Sequence, residues 1–213
     1  TSQSVVSADV DSILKTVQLL PATVSAIQAP ERSPFPTQTV DAVELAKRDA
    51  SMDMPFLLRF TPSLVVTSDA GAGIGYTSMR IRGSDQTRIN VTINGVALND
   101  AASHQVYWVD LPDLASSVDN LTIQRGVGSS SNGAGAFGAT VAIQTMEFNK
   151  EAGGRVVLSG GSFGTLRSMA QWSTGEIGSG LYMEGRASRI LSDGYMDRSG
   201  SDLSSMQIGL GYR

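Results

Sequence analysis

The sequence predicts a small mixed α/β domain, built on a mixed sheet with short helices, followed by antiparallel β-strands of the membrane-barrel type. Three observations predict it. Between Thr37 and Thr145, short alternating strand signals are interleaved with two helix signals and glycine-rich loops. From Gly153 onward the helix signals stop, and segments of roughly nine to eleven residues alternate polar and apolar, as tilted membrane-spanning strands require. No run of about 18 apolar residues offers a transmembrane helix, so any crossing of a bilayer falls to strands.

Composition narrows the function. The 213 residues suffice for one or two domains. A net charge of −4 provides no basic footprint for nucleic acid. The absence of cysteine excludes disulfides, cysteine–zinc sites and cysteine nucleophiles. With one histidine, His104, a serine triad or a histidine-rich metal site has to be built around that residue. Thr1–Ser12 is polar and acidic, unlike a signal peptide; a mature exported chain and a cytoplasmic one both read this way.

In chain order, residues 1–36 form a flexible segment punctuated by Pro21, Pro30, Pro34 and Pro36, with Ala22–Ile27 its one extended apolar patch. The mixed domain occupies 37–148. "TQTV" suits a short strand; Asp41 reads as an N-cap, with Glu44 three residues on and Ala42, Leu45 and Ala46 on one face. A second helix is expected over Met54–Phe60, with Pro55 in its first turn and Pro62 stopping it, then a strand at Ser63–Val66. Ser68–Ser78 is too glycine-rich for either element and reads as a loop. Met79 and Ile81 alternate with Arg80 and Arg82; Ile89, Val91 and Ile93 alternate with polar residues, and Asn94-Gly95 supplies the positive φ angles of a type I′ hairpin. A polar loop runs over Asn99–Trp108, "LPDLASS" is a short helical piece, Leu121 and Ile123 mark a strand ending at Arg125-Gly126, and Val141, Ile143 and Thr145 mark another.

Residues 149–213 supply four strands, the first at "GRVVLSGG" and three more with clear alternation. Leu166, Ser168, Ala170 and Trp172 oppose Thr165, Arg167, Met169 and Gln171; Leu181, Met183, Gly185 and Ala187 oppose Tyr182, Glu184, Arg186 and Ser188; Met206, Ile208, Leu210 and Tyr212 oppose Ser205, Gln207, Gly209 and Gly211. One face is apolar or small and the other carries charge. Four strands with open edges do not close, so the expectation is an incomplete piece of a larger barrel.

Several constellations bear on chemistry. "GAGAFG" (Gly133, Gly135, Gly138) fits G-x-G-x-x-G, but the sequence after it is β-branched and alternating, not helical, so glycines at tight turns explain it better than a dinucleotide. His104 lies beside Asp100, Tyr107 and Trp108 with no activated nucleophile; a loop histidine bonding locally or meeting a ligand is the expectation. Tyr107 and Trp108 fit either core anchors or a ligand-facing aromatic patch. Asp193, Asp197 and Asp202 lack EF-hand spacing and read as a solvated loop. Arg82 and Arg125 each end a strand before a glycine; they fit solvated strand ends, or charges reaching carboxylates on an enclosing wall.

"MRIRGSDQTRINVTINGVALND", "LNDAASHQVYWVDLPDLASS" and "VDNLTIQRGVGSSSNGAGAFGATVAIQT", followed by "GGSFGTLRSMAQWSTG" and "LSDGYMDRSG", resemble in order the plug domain and first barrel strands of TonB-dependent outer-membrane receptors of Gram-negative bacteria. The likeness spans residues 22–213. It implies a plug threaded inside a 22-stranded barrel, facing periplasm and lumen, with lipid around the wall. Such receptors are not enzymes and use no cofactor; they import a scarce nutrient, most commonly an iron–siderophore complex, with energy delivered by TonB. The segment Ala22, Thr23, Val24, Ser25, Ala26, Ile27 sits where the family carries its TonB box, which the periplasmic partner captures by strand addition. The resemblance also gives Arg82 and Arg125 the role of plug arginines paired with barrel glutamates. It makes Asp69, Tyr76, Asn99, Asp100, His104, Gln105, Tyr107 and Trp108 ligand-facing residues of apical loops. A secreted β-rich adhesin or carbohydrate-binding module is the alternative from another class, and a nucleotide-dependent enzyme a weaker third.

Overall fold

The computed structural model describes residues 36–48, 51–127, 136–145, 151–178 and 180–212. The first domain is organised by a five-stranded sheet. Its strands are β1 (Thr37–Asp41), β4 (Ile89–Ile93), β5 (Val96–Ala97), β6 (Val118–Arg125) and β7 (Ala139–Thr145), in the order β1-β6-β7-β4-β5. β4 and β7 pair in parallel, Ile89 opposite Ala139, while the other neighbours are antiparallel, so the sheet is mixed as expected. β7 is buried continuously over Ala139, Thr140, Val141, Ala142 and Ile143, as suits a strand with neighbours on both sides. A separate hairpin pairs β2 (Leu64–Ser68) with β3 (Thr77–Ile81).

Local chemistry sets the boundaries. Asp41 is extended and its carboxylate accepts the Glu44 N–H at 2.7 Å, which starts α1 (Ala42–Lys47) and turns Leu45 into the core. Asn94 and Gly95 take φ of 49° and 85°, the two positive values of the type I′ turn joining β4 to β5. Leu45, Leu57, Leu58, Met79, Ile81, Trp108, Leu121, Ile123, Val141 and Ile143 meet in one apolar cluster.

Two expected elements are corrected. The helix expected over Met54–Phe60 is a single turn, α2 (Met54–Leu57). Beyond it the chain keeps three-residue turns, Arg59 N–H to Phe56 O at 3.3 Å and Thr61 N–H to Leu58 O at 2.8 Å, as it bends towards Pro62. The strand expected at Ser63–Val66 lies at Leu64–Ser68, because Ser63 has φ 65° and belongs to the turn. Thr67 and Ser68 then pair with Ser78 and Thr77, which lengthens β3 at the expense of the predicted loop.

The second part is a four-stranded antiparallel meander: β8 (Ala152–Gly160), β9 (Leu166–Ile177), β10 (Leu181–Ser192) and β11 (Ser201–Tyr212). Its outer face exposes Val156, Leu158, Leu166, Trp172, Met206, Ile208, Leu210 and Tyr212. Its inner face, turned to the first domain, buries Thr165, Arg167, Met169, Tyr182, Arg186, Ser188 and Ile190. The two faces fall where alternation puts them. The outer face ends in polarity at one end, where Arg189 and Asp202 form an exposed ion pair at 2.7 Å. The described strands form an open sheet, and no described helix is long and apolar enough to cross a membrane.

Candidate functional site: the seam between domain and sheet

The two parts meet at two levels. At one end, the loop between β2 and β3 carries Gly71, Gly73 and Gly75 at positive φ. Gly73 is required there: a Cβ would come within 2.7 Å of the Phe56 ring. The loop's Ala70 carbonyl accepts N–H groups from Tyr195 (2.9 Å) and Met196 (3.3 Å) in the β10–β11 connection, whose Tyr195 ring meets Phe163 edge-on at 5.4 Å. Beneath the loop lies Asp53, which sequence reasoning missed. It is 4 % exposed; its N–H donates to Gly73 O at 2.9 Å, and its carboxylate accepts the Thr77 hydroxyl at 2.9 Å. Burial pushes this carboxyl up to about 7, against the opposing pull of the Thr77 and Gly75 hydrogen bonds.

Asp69 and Tyr76 are exposed on the same loop, joined by the Asp69 N–H to Tyr76 O at 3.0 Å. The neighbouring loop is built from its own side chains. Asn99 accepts from Val91 N–H (2.8 Å) and donates to Ile89 O and His104 O, which ties the loop to β4. Asp100 Oδ1 accepts from Ser103 N–H and Oγ–H and from Ala102 N–H, and those hydrogen bonds hold its carboxyl below the usual range. His104 is exposed at φ 57°, and Gln105 accepts a hydrogen bond from Gln86. Tyr107 is half exposed and donates to Ser103 Oγ, whereas Trp108 is 1 % exposed and packs in the core. Trp108 is therefore corrected from ligand-facing to core anchor: of the two adjacent aromatics, only Tyr107 reaches the surface.

The second level is buried. Asp113 sits between the domain and the sheet with a fully buried carboxylate. Its Oδ1 accepts from Arg167 Nε (3.0 Å) and Nη2 (2.7 Å) and from Ser116 Oγ (2.7 Å), while Oδ2 lies 3.4 Å from Arg186 Nη1. Arg186 also donates to the Asp113 carbonyl. The residue takes φ 57°, a left-handed conformation that aspartate tolerates better than most and that aims both oxygen sets at the sheet. Next to it, Ser117 donates to Gln207 at 2.8 Å. One carboxylate on the domain thus meets two guanidinium groups on the sheet. The signal was available: Arg167 and Arg186 fall on the charged face that alternation defines, and buried cations demand a carboxylate from whatever packs on them.

Arg82 and Arg125 come together on another side of the domain. Arg82 donates its backbone N–H to Ser63 O (2.9 Å), Arg125 Nη1 donates to Pro62 O (3.4 Å), and a Cβ on Gly126 would lie 2.9 Å from Arg82 Nη1. Neither has a carboxylate partner among the described residues. Asp202 of the predicted solvated loop is engaged by Arg189, and the described residues contain no cluster of three or more His, Asp or Glu arranged for a metal. Ala22–Ile27, Gly133 and Gly135 lie outside the described residues.

Residues 29–140 match the family TonB-dependent Receptor Plug Domain. The chain is 29% identical over 147 residues to lactoferrin-binding protein A of Neisseria meningitidis serogroup B, covering 62% of this chain and 15% of that protein. Among solved structures it resembles the ferripyoverdine receptor of the Pseudomonas aeruginosa outer membrane (TM-score 0.68, 18% identity, 87% of this chain and 24% of that one). It also resembles the copper transporter OprC (TM-score 0.65, 20% identity, 83% and 28%). The chain therefore spans about a seventh of that curated relative and about a quarter of those structures.

Proposed function

This chain belongs to the TonB-dependent receptor plug-domain family, and on that premise we propose that it is the plug and first four wall strands of a 22-stranded outer-membrane receptor importing a scarce nutrient. The observation that carries the reading is the seam. The mixed domain lies against the polar inner face of a sheet whose outer face is apolar, with Asp113 buried between them. A secreted adhesin has no use for an outer face that exposes Val156, Leu158, Ile208 and Leu210 together.

The mechanism has four steps. Ligand binds the outer barrel loops and the exposed apical residues Asp69, Tyr76, Asp100, His104 and Tyr107. The plug shifts through the loop contact with Tyr195 and Met196. The segment Ala22–Ile27 becomes available, and TonB adds to it as a strand. Force then loosens part of the plug and opens a path. Arg82 and Arg125 are the plug's half of a charge lock; two arginines with no carboxylate partner among the described residues fit acidic partners further along the wall.

The cargo proposed is an iron–siderophore complex, in line with the fold's siderophore-receptor neighbours. A second reading, a receptor for lactoferrin, is favoured by the sequence likeness to lactoferrin-binding protein A. Growth of a strain carrying the full-length gene, with ferric siderophores or lactoferrin as the sole iron source, separates the two. Deleting residues 22–27 should abolish uptake while surface binding persists. Uptake that survives the deletion removes TonB capture from this segment.

A further inference from the structure

From the wall strands and α1, we infer a second binding site, for an amphiphilic organic anion, in the crevice between plug and wall. It rests on the reading of the chain as plug and wall, and deepens it by giving the cargo a charge and a stopping place below the apical loops. A cavity of about 640 Å³ separates α1 from β8 and β9. That is the size of a small-molecule pocket. Its plug side presents Val43, Ala46 and Lys47; its wall side presents Arg155, Val157 and Met169.

The charge is one-sided. Lys47 lines the space from the plug and Arg155 from the wall, and neither has a hydrogen-bond or ion-pair partner among the described residues. Two further cations on the lining are already engaged: Arg48 binds Glu44, and Arg167 binds Asp113. Among the described residues, no acidic side chain lines the cavity. A cleft of one sign with low-dielectric walls concentrates counter-ions of the other. Here the walls are apolar between the charges, so a bare inorganic anion is a poorer occupant than an anion carrying apolar surface. Arg155, Val157 and Ser159 succeed one another on one face of β8, so the crevice runs along the strand direction, which is the direction of transport.

The test needs no knowledge of the natural cargo. In a cysteine-free full-length receptor inserted in outer-membrane vesicles, Val157→Cys is exposed to two thiol reagents of equal reactive group. One is the anionic sulfonatoethyl methanethiosulfonate, the other its cationic trimethylammonium counterpart. After normalisation to a free thiol, the anionic reagent should react at least about tenfold faster, and Lys47→Glu with Arg155→Glu should reverse the ratio. Ser159→Cys serves as a second position if Val157→Cys fails to insert. Equal rates, or a ratio untouched by charge reversal, overturn the inference. So does silence of both positions while Tyr195→Cys reacts, since the crevice is then filled in the whole receptor. A negative result here leaves TonB capture standing, because the deletion of residues 22–27 tests that separately.

Discussion

The mixed domain holds the four-stranded sheet differently at its two contact levels. At the level of the glycine-rich loop the bond is light: two backbone hydrogen bonds onto Ala70, an aromatic edge contact within the sheet's own connections, and the loop's cover over a buried acid. At the Asp113 level it is ionic and dry, with one carboxylate shared by two arginines. Contacts of this kind, few and uncharged, open at low free-energy cost. A buried charge network opens only by leaving charges unpaired, which is expensive. The difference teaches where the domain can come away from the sheet and where it stays seated.

The largest effect should come from breaking the buried level. Asp113→Ala leaves Arg167 and Arg186 facing each other without a counter-charge, and should cost about 3–5 kcal/mol of plug seating. Thermal unfolding of the full-length receptor, with hydrogen exchange in β6 and β7, reads it. Loss confined to the glycine-rich loop would mean the network carries little.

The acid under the glycine-rich loop gives a pH dependence of opposite sign to the usual carboxylate. The Asp53 value is raised in the folded chain to about 7 from 3.8, so the folded state binds more protons between those limits. Its stabilising share is complete below about pH 4, falls as pH rises, and is gone above about 7. The full span is about 4 kcal/mol, at most tenfold in loop opening per pH unit. Protection factors of the Gly73 and Thr77 amides, that is, exchange corrected for its intrinsic pH dependence, should fall over that window, and Asp53→Asn should flatten the profile. A flat wild-type profile would place the carboxylate in contact with water.

Gly73→Ala should cost about 1–3 kcal/mol, since it meets both positive φ and the Phe56 ring. The loss should show in exchange of the glycine-rich loop and not in β6 or β7. Smallest of all, Arg189→Gln should leave unfolding unchanged within error, because its pair with Asp202 is exposed.

Local chemistry made most of the fold legible. The Asp41 cap, the Asn94-Gly95 turn and the two-residue alternation of β9 to β11 each depend on neighbours in sequence, and each is found where expected. What sequence hid depends on distant partners. Trp108 looks like Tyr107 until the core closes over one of them. Asp113 sits in a short helical piece with nothing local to mark it; its meaning comes from arginines 54 and 73 residues later. Asp53 carries no local signal in the sequence; the glycine loop that covers it lies some twenty residues on. The charge-lock role of Arg82 and Arg125, with its carboxylates, remains a proposal.

The most direct test of the seating is a cysteine pair across the seam in the full-length receptor, in its membrane. Ser117 and Gln207 are bonded at 2.8 Å, and Ile208 points to the opposite face of β11. With a short bifunctional thiol reagent, Ser117→Cys with Gln207→Cys should cross-link and Ser117→Cys with Ile208→Cys should not. The reverse, or equal yields from both pairs, would contradict a plug lying against the inner face of these strands.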